Sequence, residues 1–287
     1  MSDTPDSGMP HSLRRFRSEA LGRGIPSADV ERWLGLARRC ADLSPEEDGP
    51  VVGRLGGPVM LPPGVAVPAN SFTSMGRSYE MPYHLIADLD LAALPEDATD
   101  LPMPPDGHLL LFAVPGLDGA TGAAVYVPAG TTVEERRVEY HYDPGDHLAS
   151  LDFDNELRGE LRLKPNASLP NHEIADDEVT VDTAEHPRAE ELRAVWEEIW
   201  AEERRVYKWS HLQIGGYASD AEGWGDPVVD CARESAEPGS LQDWVLLAEW
   251  SPAMTGLEMA TMYWAMRRED LVVLRFDRTA VTMYANP

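Results

Sequence analysis

The chain has 287 residues, of which 43% are hydrophobic and 26% charged, a balance typical of a folded globular protein and not of a disordered acidic tail. Its 50 acidic residues against 24 lysines and arginines give a net charge of −26, which repels phosphates and anionic lipids, so neither nucleic acid nor membrane is expected as a partner. The charge favours a protein or small-molecule ligand that is cationic, although it also serves solubility alone.

The sequence also predicts where the protein works. No apolar run approaches the ~20 residues that cross a bilayer, and the first residues lack an apolar signal core. The two cysteines, Cys40 and Cys231, form no CxxC motif, so neither a zinc site nor a redox motif is predicted from them. We therefore expect a cytoplasmic protein, where thiols stay reduced.

The N-terminal part is expected to contain an arm and one helix. Residues 1–26 are rich in Ser, Pro, Gly and Arg without a lasting hydrophobic period, and we interpret them as a mobile arm. A helix is predicted next, because Ser27 or Asp29 can cap its first turn. Its apolar stripe consists of Val30, Trp33, Leu34, Ala37 and Ala41.

The stretch 53–72 is dense in glycine and proline and contains the pair Gly56-Gly57. Consecutive glycines can cradle an anion, but a phosphate-binding loop also needs a lysine and a following helix, and prolines follow here instead. The favoured interpretation is a tight structural turn, in which glycine reaches backbone angles that other residues avoid.

Strands are predicted along the rest of the first half, and one long helix follows them. The strand signals are the apolar runs at 84–91, 109–114 and 123–127 and the alternation of apolar and polar residues at 138–143. Residues 144–187 look irregular, with acidic patches and several prolines. A helix is predicted over 188–206, because apolar residues recur at helical spacing opposite a glutamate-rich face.

An internal repeat is the most informative feature of the chain. Leu55-Gly56-Gly57-Pro58 is echoed by Ile214-Gly215-Gly216-Tyr217, and each glycine pair is followed by a strand-like run with an acid near its end. The first glycine lies 32 residues before Asp88 in one copy and 34 residues before Glu249 in the other. The runs are 84–88, 109–114 and 123–127 in the first copy and 244–249, 260–265 and 280–284 in the second.

This repeat predicts an α+β fold with antiparallel sheets, a few helices, and a duplicated unit of one Gly-Gly turn plus three strands. We expect a single domain over 27–287, preceded by the arm at 1–26. The domain is predicted to consist of two related halves, about 27–185 and 186–287, that share one core.

Seven short motifs follow one another along the chain. They are Arg54-Leu55-Gly56-Gly57-Pro58, Leu61-Pro62, Asp90-Leu91-Ala92-Ala93-Leu94-Pro95, Gly107-His108-Leu109-Leu110-Leu111-Phe112, Met262-Tyr263-Trp264, Arg268-Glu269-Asp270-Leu271 and Phe276-Asp277-Arg278. In this order the motifs resemble the bacterial YwqG-like family over roughly 30–287.

The resemblance implies a cytoplasmic α+β protein built from a duplicated unit, in a family catalogued as a domain of unknown function. Some relatives are encoded near toxin systems, which implies interaction or immunity roles. The family usually carries glutamine where this chain has Asp88 and Glu249.

The repeat also suggests a binding site. Because Asp88 and Glu249 are equivalent, a twofold relation between the halves would bring their carboxylates together, where they could share a proton or bind a hard cation. Arg54 is added because it precedes the first glycine pair and can pair with an acid. The alternative is that both acids lie at strand ends, paired with arginine or water. The glycines predicted to line this site are Gly56, Gly57, Gly215 and Gly216.

A second candidate site is a metal site on the acidic stretch that begins at His141. His141 and Asp143 are two residues apart, so on a strand they point the same way and suit zinc, manganese or iron. A solvated acidic loop is the alternative, because Pro144-Gly145 makes a turn. The neighbouring candidate ligands are Asp146, His147, Asp152 and Asp154.

The functional prediction is a binding or interaction protein and not an enzyme, and no cofactor is expected. The sequence has no G-x-S-x-G motif, and Cys231 lies among acids that raise the pKa of a thiol. The alternative is a metal-dependent hydrolase that uses His141 and Asp143.

Overall fold

A ten-stranded antiparallel sheet organises the molecule, with its strands in the order β14-β13-β12-β11-β1-β10-β2-β6-β7-β8. The computed structural model describes residues 9–74, 77–116, 119–140, 151–170, 181, 184–204, 210–219, 225–235, 239–258 and 260–285. The sheet strands are β1 Arg38–Ser44, β2 Val51–Leu55, β6 His84–Asp90, β7 His108–Gly116, β8 Gly119–Val127, β10 Gly159–Ser168, β11 His211–Gly215, β12 Trp244–Ser251, β13 Ala260–Arg267 and β14 Ala280–Ala285.

Smaller elements surround this sheet. Two short antiparallel pairs join β3 Val59–Leu61 with β9 Glu134–Arg136, and β4 Ala69–Ser74 with β5 Arg77–Pro82. None of the helices in the described ranges is long and apolar enough to cross a membrane. The helices are α1 His11–Gly22, α2 Ser27–Leu34, α3 Phe153–Glu156, α4 Ala189–Arg204, α5 Pro227–Glu234 and α6 Arg268–Val272.

The sheet curls until its two edge strands, β8 and β14, contact each other. A methyl group placed on Gly122 of β8 would lie 3.2 Å from Val281 of β14, and the Trp264 indole donates to the carbonyl oxygen of Phe112 at 3.2 Å across the interior. The nearly closed sheet encloses a core of buried apolar side chains contributed by both halves of the chain. The α+β architecture with antiparallel sheets is therefore confirmed.

The sheet consists of two five-stranded units arranged symmetrically about its centre. One unit is β1, β2, β6, β7 and β8, and the other is β10, β11, β12, β13 and β14. The first strand of each unit is exchanged, because β1 pairs with β11 of the second unit and β10 pairs with β2 of the first. β1 and β10 pair with each other at the centre, so a pseudo-twofold axis passes between them.

The duplication extends to an irregularity in the strands. In β6 the register with β7 shifts between Leu85 and Ala87, and in β12 the register with β13 shifts between Leu246 and Ala248. Each β-bulge lies directly before an acid at the same register position, Asp88 or Glu249. The three strands predicted in each copy are β6, β7 and β8 in the first half and β12, β13 and β14 in the second.

The N-terminal segment differs from the mobile arm predicted over 1–26. Residues His11–Gly22 form α1, which buries Leu13, Phe16 and Ala20 against α2 and α4. The aromatic rings of Phe16 and Trp196 meet edge to face, 6.2 Å apart. Because the helix buries only a narrow stripe, its high content of arginine and serine hides the pattern.

Two strands near the pseudo-twofold axis also differ from the sequence prediction. The helix predicted from Ser27 ends at Leu34, and β1 begins four residues later within the stretch assigned to it. β10 lies inside 144–187, which looks irregular in the sequence, so the boundary expected near 185 falls after the second unit has begun. Residues 138–140 form no strand, and 141–143 lie outside the described residues. The long helix is confirmed as α4.

Candidate functional site

The first Gly-Gly turn wraps around the side chain of Arg54 at the end of β2. The guanidinium donates to the carbonyl oxygens of Gly56 and Pro58, two and four residues ahead, the latter at 2.8 Å. It also donates to Oδ2 of Asp88 at 2.9 Å from the neighbouring strand. Gly56 and Gly57 have φ angles of 52° and 86°, which favour glycine. Arg54 therefore holds the turn.

The acid of this first turn lies near the surface. Oδ1 of Asp88 is 2.8 Å from Nδ1 of His108, whose side chain is 52% exposed, whereas the Asp88 side chain is 13% exposed. Asp88 thus joins an arginine on one side and a histidine on the other. This arrangement matches the alternative interpretation, an acid on a strand paired with arginine.

The second Gly-Gly turn repeats the design with a neutral side chain. The Gln213 amide nitrogen donates to the carbonyl oxygens of Gly215 and Tyr217, two and four residues ahead, at 2.9 Å each. Gln213 is the register partner of Glu249, just as Arg54 is the register partner of Asp88. The second copy therefore uses glutamine where the first copy uses arginine.

The acid of the second turn is fully buried. The Glu249 carboxylate accepts hydrogen bonds from the backbone nitrogen of Ser219 at 2.6 Å and from its hydroxyl at 2.7 Å. The Tyr263 hydroxyl donates to the carbonyl oxygen of Ser219 at 2.8 Å. Glu249 thus fixes the chain that follows the glycine pair, inside the protein.

The two acids predicted to pair lie on different strands, Asp88 on β6 and Glu249 on β12, and four strands separate β6 from β12 in the sheet order. Each acid has its own partners, Arg54 and His108 for Asp88 and Ser219 for Glu249. The contacts of each acid therefore belong to its own turn.

A pocket does lie at the seam between the units, but other residues form it. Its floor comes from the three central strands β1, β10 and β11, and its wall from α4. The cavity volume is about 20 Å³, which is room for a group about the size of a water molecule, and the value rises to about 370 Å³ only when the space that opens to solvent is included. The lining residues are Cys40, Asp42, Asn166, Ala167, Ser168, Trp196, Trp200, Glu203, His211 and Gln213.

A chain of polar contacts runs along the floor of this pocket. The Ser12 hydroxyl of α1 donates to Oδ1 of Asn166 at 2.8 Å, and the Asn166 amide donates to Oδ2 of Asp42 at 2.6 Å. Nε2 of His211 lies 3.4 Å from Oδ1 of Asp42. Burial alone would raise the pKa of Asp42, but His211, Asn166 and the Lys164 charge hold it below its usual range. Asp42 is thus a buried anion at neutral pH.

The wall of the pocket follows one face of α4. Trp196, Trp200 and Glu203 are spaced four and three residues apart, so their side chains share this face. Burial raises the pKa of Glu203 against the opposing charge of Lys164, and the negative Asp42 acts in the same direction as burial. The pocket therefore combines two carboxyl groups with two indole rings.

Of the residues predicted for the seam, Gly216 touches the lining of this pocket. A methyl group on Gly216 would lie 2.5 Å from Oγ of Ser168 and 2.9 Å from Cβ of Cys40.

The Cys40 thiol in the pocket lining stays protonated, because burial, aided by the Asp42 charge, raises its pKa well above its usual range. Protonated Cys40 is a poor nucleophile.

The predicted metal site cannot be placed, because His141 and Asp143 lie outside the described residues. Within the part of the chain that the structure describes, no group of three or more His, Cys, Asp or Glu side chains is placed to hold a metal ion. Asp42, Glu203 and His211 are missing from the sequence prediction, since they share no motif. The helical spacing of Trp196, Trp200 and Glu203 could have indicated Glu203, but no pattern in the sequence connects it with Asp42 or His211.

A comparison with protein families identifies the family of the chain. A family model described as a domain of unknown function, DUF1963, matches residues 53–284. This range starts within β2 and ends within β14, so it includes both Gly-Gly turns and leaves out α1, α2 and β1. No curated protein matches the chain.

Proposed function

The chain belongs to the DUF1963 family, whose function is unknown, and we propose that it binds a small organic cation in the seam pocket and catalyses no reaction there. The observation that carries this proposal is Asp42, which is 6% exposed, has a lowered pKa and lines the pocket. A buried carboxylate attracts a cation more strongly than an exposed one, because less water screens its charge.

The aromatic wall supports the same ligand class. Indole rings attract cations through their negative faces, and Trp196 and Trp200 line the pocket opposite the acidic floor. The net charge of −26 also raises the local concentration of cations and speeds their capture at low ionic strength. An interaction or immunity role, as the YwqG-like resemblance implies, would act through such a ligand.

The test is titration calorimetry at low ionic strength with a panel of small alkylammonium and guanidinium salts. We expect at least one of them to bind the wild type, and Asp42→Asn to weaken that binding roughly tenfold or more. Asp88→Asn is the matched control, because it removes the same charge from the outer face and should leave the affinity unchanged.

Two results would contradict the proposal. One is that no member of the panel binds at millimolar concentration. The other is that Asp88→Asn weakens binding as much as Asp42→Asn, which would mean that only the net charge matters. Thermal unfolding of each free variant shows whether lost binding reflects lost folding. Glu203→Gln provides a second variant at a partly exposed position, where folding is less at risk.

A further inference from the structure

We infer that the ligand carries several N–H donors, as a primary ammonium or guanidinium group does, and is not a quaternary ammonium. This inference rests on the proposed function and narrows its ligand class. The argument concerns the polar groups that line the pocket. Donors of Asn166 and Gln213 bond to other groups of the protein, and oxygen acceptors of Asp42, Gln213 and Glu203 line the pocket.

Gln213 is the clearest case. A glutamine amide has two N–H donors, and those of Gln213 go to the carbonyl oxygens of Gly215 and Tyr217. The second Gly-Gly turn therefore fixes the orientation of this amide. Gln213 is only 4% exposed and lines the pocket, so its carbonyl oxygen is the group it offers to a ligand.

The other floor residues are held in a similar way. The Asn166 amide nitrogen donates to Asp42, and its oxygen accepts from Ser12. The hydroxyl oxygen of Ser168 accepts from the backbone nitrogen of Tyr217 at 2.7 Å. The Ser168 hydroxyl also forms a side-chain hydrogen bond with Cys40, so these bonds order the floor around Asp42.

The acceptors come from three separate elements. Asp42 on β1 and Gln213 on β11 lie on the floor, and Glu203 on α4 lies on the wall. The nearby Lys164 ammonium is 3.6 Å from Oε1 of Glu47 and also acts on Asp42 and Glu203, and Nε2 of His211 lies 3.4 Å from Oδ1 of Asp42. The His11 side chain, 78% exposed, lies 3.9 Å from Glu203 at the outer edge.

This arrangement distinguishes two kinds of organic cation. Indole rings attract both kinds, because cation–π attraction needs only a charge. A primary ammonium has three N–H donors and can add hydrogen bonds to these oxygens, whereas a quaternary ammonium has no donor and can add none. The preference for N–H donors therefore comes from the oxygen atoms and not from the tryptophans.

The experiment compares butylammonium with N,N,N-trimethylbutylammonium by titration calorimetry on the full chain. The two cations have the same charge and chain length and differ in three N-methyl groups. We expect butylammonium to bind roughly tenfold or more tightly than its trimethylated analogue, as loss of charge-assisted hydrogen bonds implies. Glu203→Gln should reduce this preference, and Glu202→Gln, an exposed neighbour paired with Arg15, should leave it unchanged.

Each outcome separates the two proposals. If the trimethylated cation binds as tightly as butylammonium or more tightly, the inference about N–H donors is wrong and the cation-binding function stands. If neither cation nor any other member of the panel binds, the proposed function fails and this inference fails with it. If Glu202→Gln changes the preference as much as Glu203→Gln, the seam pocket is not the site of recognition.

Discussion

The two Gly-Gly turns share one backbone design and differ in burial. In both, a side chain two residues before the first glycine donates to carbonyl oxygens two and four residues ahead, and an acid faces it from the next strand. The first turn is near the surface and uses Arg54, whose side chain is 30% exposed, and the second is buried and uses Gln213. The exposure of each turn thus explains its donor. A buried guanidinium loses more hydration free energy than a buried amide, so the buried turn uses the neutral side chain.

The largest expected effect separates the two acids. Glu249→Ala leaves the N–H and O–H groups of Ser219 buried without their acceptor, which should cost about 4 kcal/mol. Asp88→Ala should cost about 1 kcal/mol, because water can reach Arg54 and His108. Urea unfolding of the two variants measures the difference. Equal losses would show that burial is not what separates the turns.

The second effect concerns pH and one residue that the halves do not share. His84 stacks between Tyr140 and Phe153, with ring centroids 3.8 and 3.7 Å away, and burial lowers its pKa to about 4. Between the ordinary histidine pKa of about 6.5 and pH 4, the unfolded chain takes up a proton that the folded chain refuses. The folded state should therefore lose roughly 3 kcal/mol as the pH falls through this window.

The second half carries Val245 at the register position of His84, and it supplies the control. His84→Val should flatten the pH dependence over that window, whatever its effect at neutral pH. Urea unfolding at pH 7 and pH 4.5 measures the slope. The interpretation fails if wild type and His84→Val lose the same free energy on acidification.

The third effect compares a glycine from each turn. Gly216→Ala should cost about 2 to 3 kcal/mol, because its φ is 77° and the new methyl group would meet Ser168 and Cys40 in the packed seam. Gly57→Ala should cost less, about 1 to 2 kcal/mol, because its methyl group would displace the Arg54 guanidinium, which is 30% exposed and can exchange its hydrogen bonds for water. Chemical denaturation gives both values. A larger loss for Gly57→Ala would reverse the comparison.

The smallest expected effect concerns the connection between β13 and β14, which is longer than the connection between β7 and β8 in the first half. Leu274 follows α6 in the connection between β13 and β14, has a φ of 59° and is 45% exposed. Leu274→Gly should stabilise the fold by about 0.5 kcal/mol, because relief of the left-handed strain exceeds the entropy cost of glycine. Val273→Gly is the control, since its φ of −101° suits valine and the change should lower the melting temperature. A fall in melting temperature for Leu274→Gly would contradict the interpretation.

The sequence predicts the strands that repeat but not the strands that cross between the units. β6, β7 and β8 and their counterparts are apolar runs after matched turns, so local patterns suffice to locate them. β1 is hidden because Ala37 and Ala41 continue the spacing of the preceding helix, and β10 is hidden because it alternates with charged residues. Both depend on long-range pairing, which local periodicity does not encode.

The residues of the candidate site also divide into those that the sequence indicates and those that only the fold brings together. The sequence indicates a seam and a Gly-Gly turn beside it, and Gly216 does touch the pocket lining. The acids of the site come from elements far apart in the chain, Asp42 on β1 and Glu203 on α4. Because no spacing connects them, only the fold brings them together.

The exchange of β1 and β10 means that neither unit can complete its part of the sheet alone. A chain holding a single unit would satisfy its exchanged strand only by joining a second copy about a twofold axis, as domain-swapped homodimers do. When the two units are joined in one chain, their association is intramolecular. It then depends on the effective concentration that the connecting segment sets, and dilution cannot dissociate it. Cleavage between β8 and β10 would restore the dilution dependence, and the seam pocket would then exist only while both fragments remain associated.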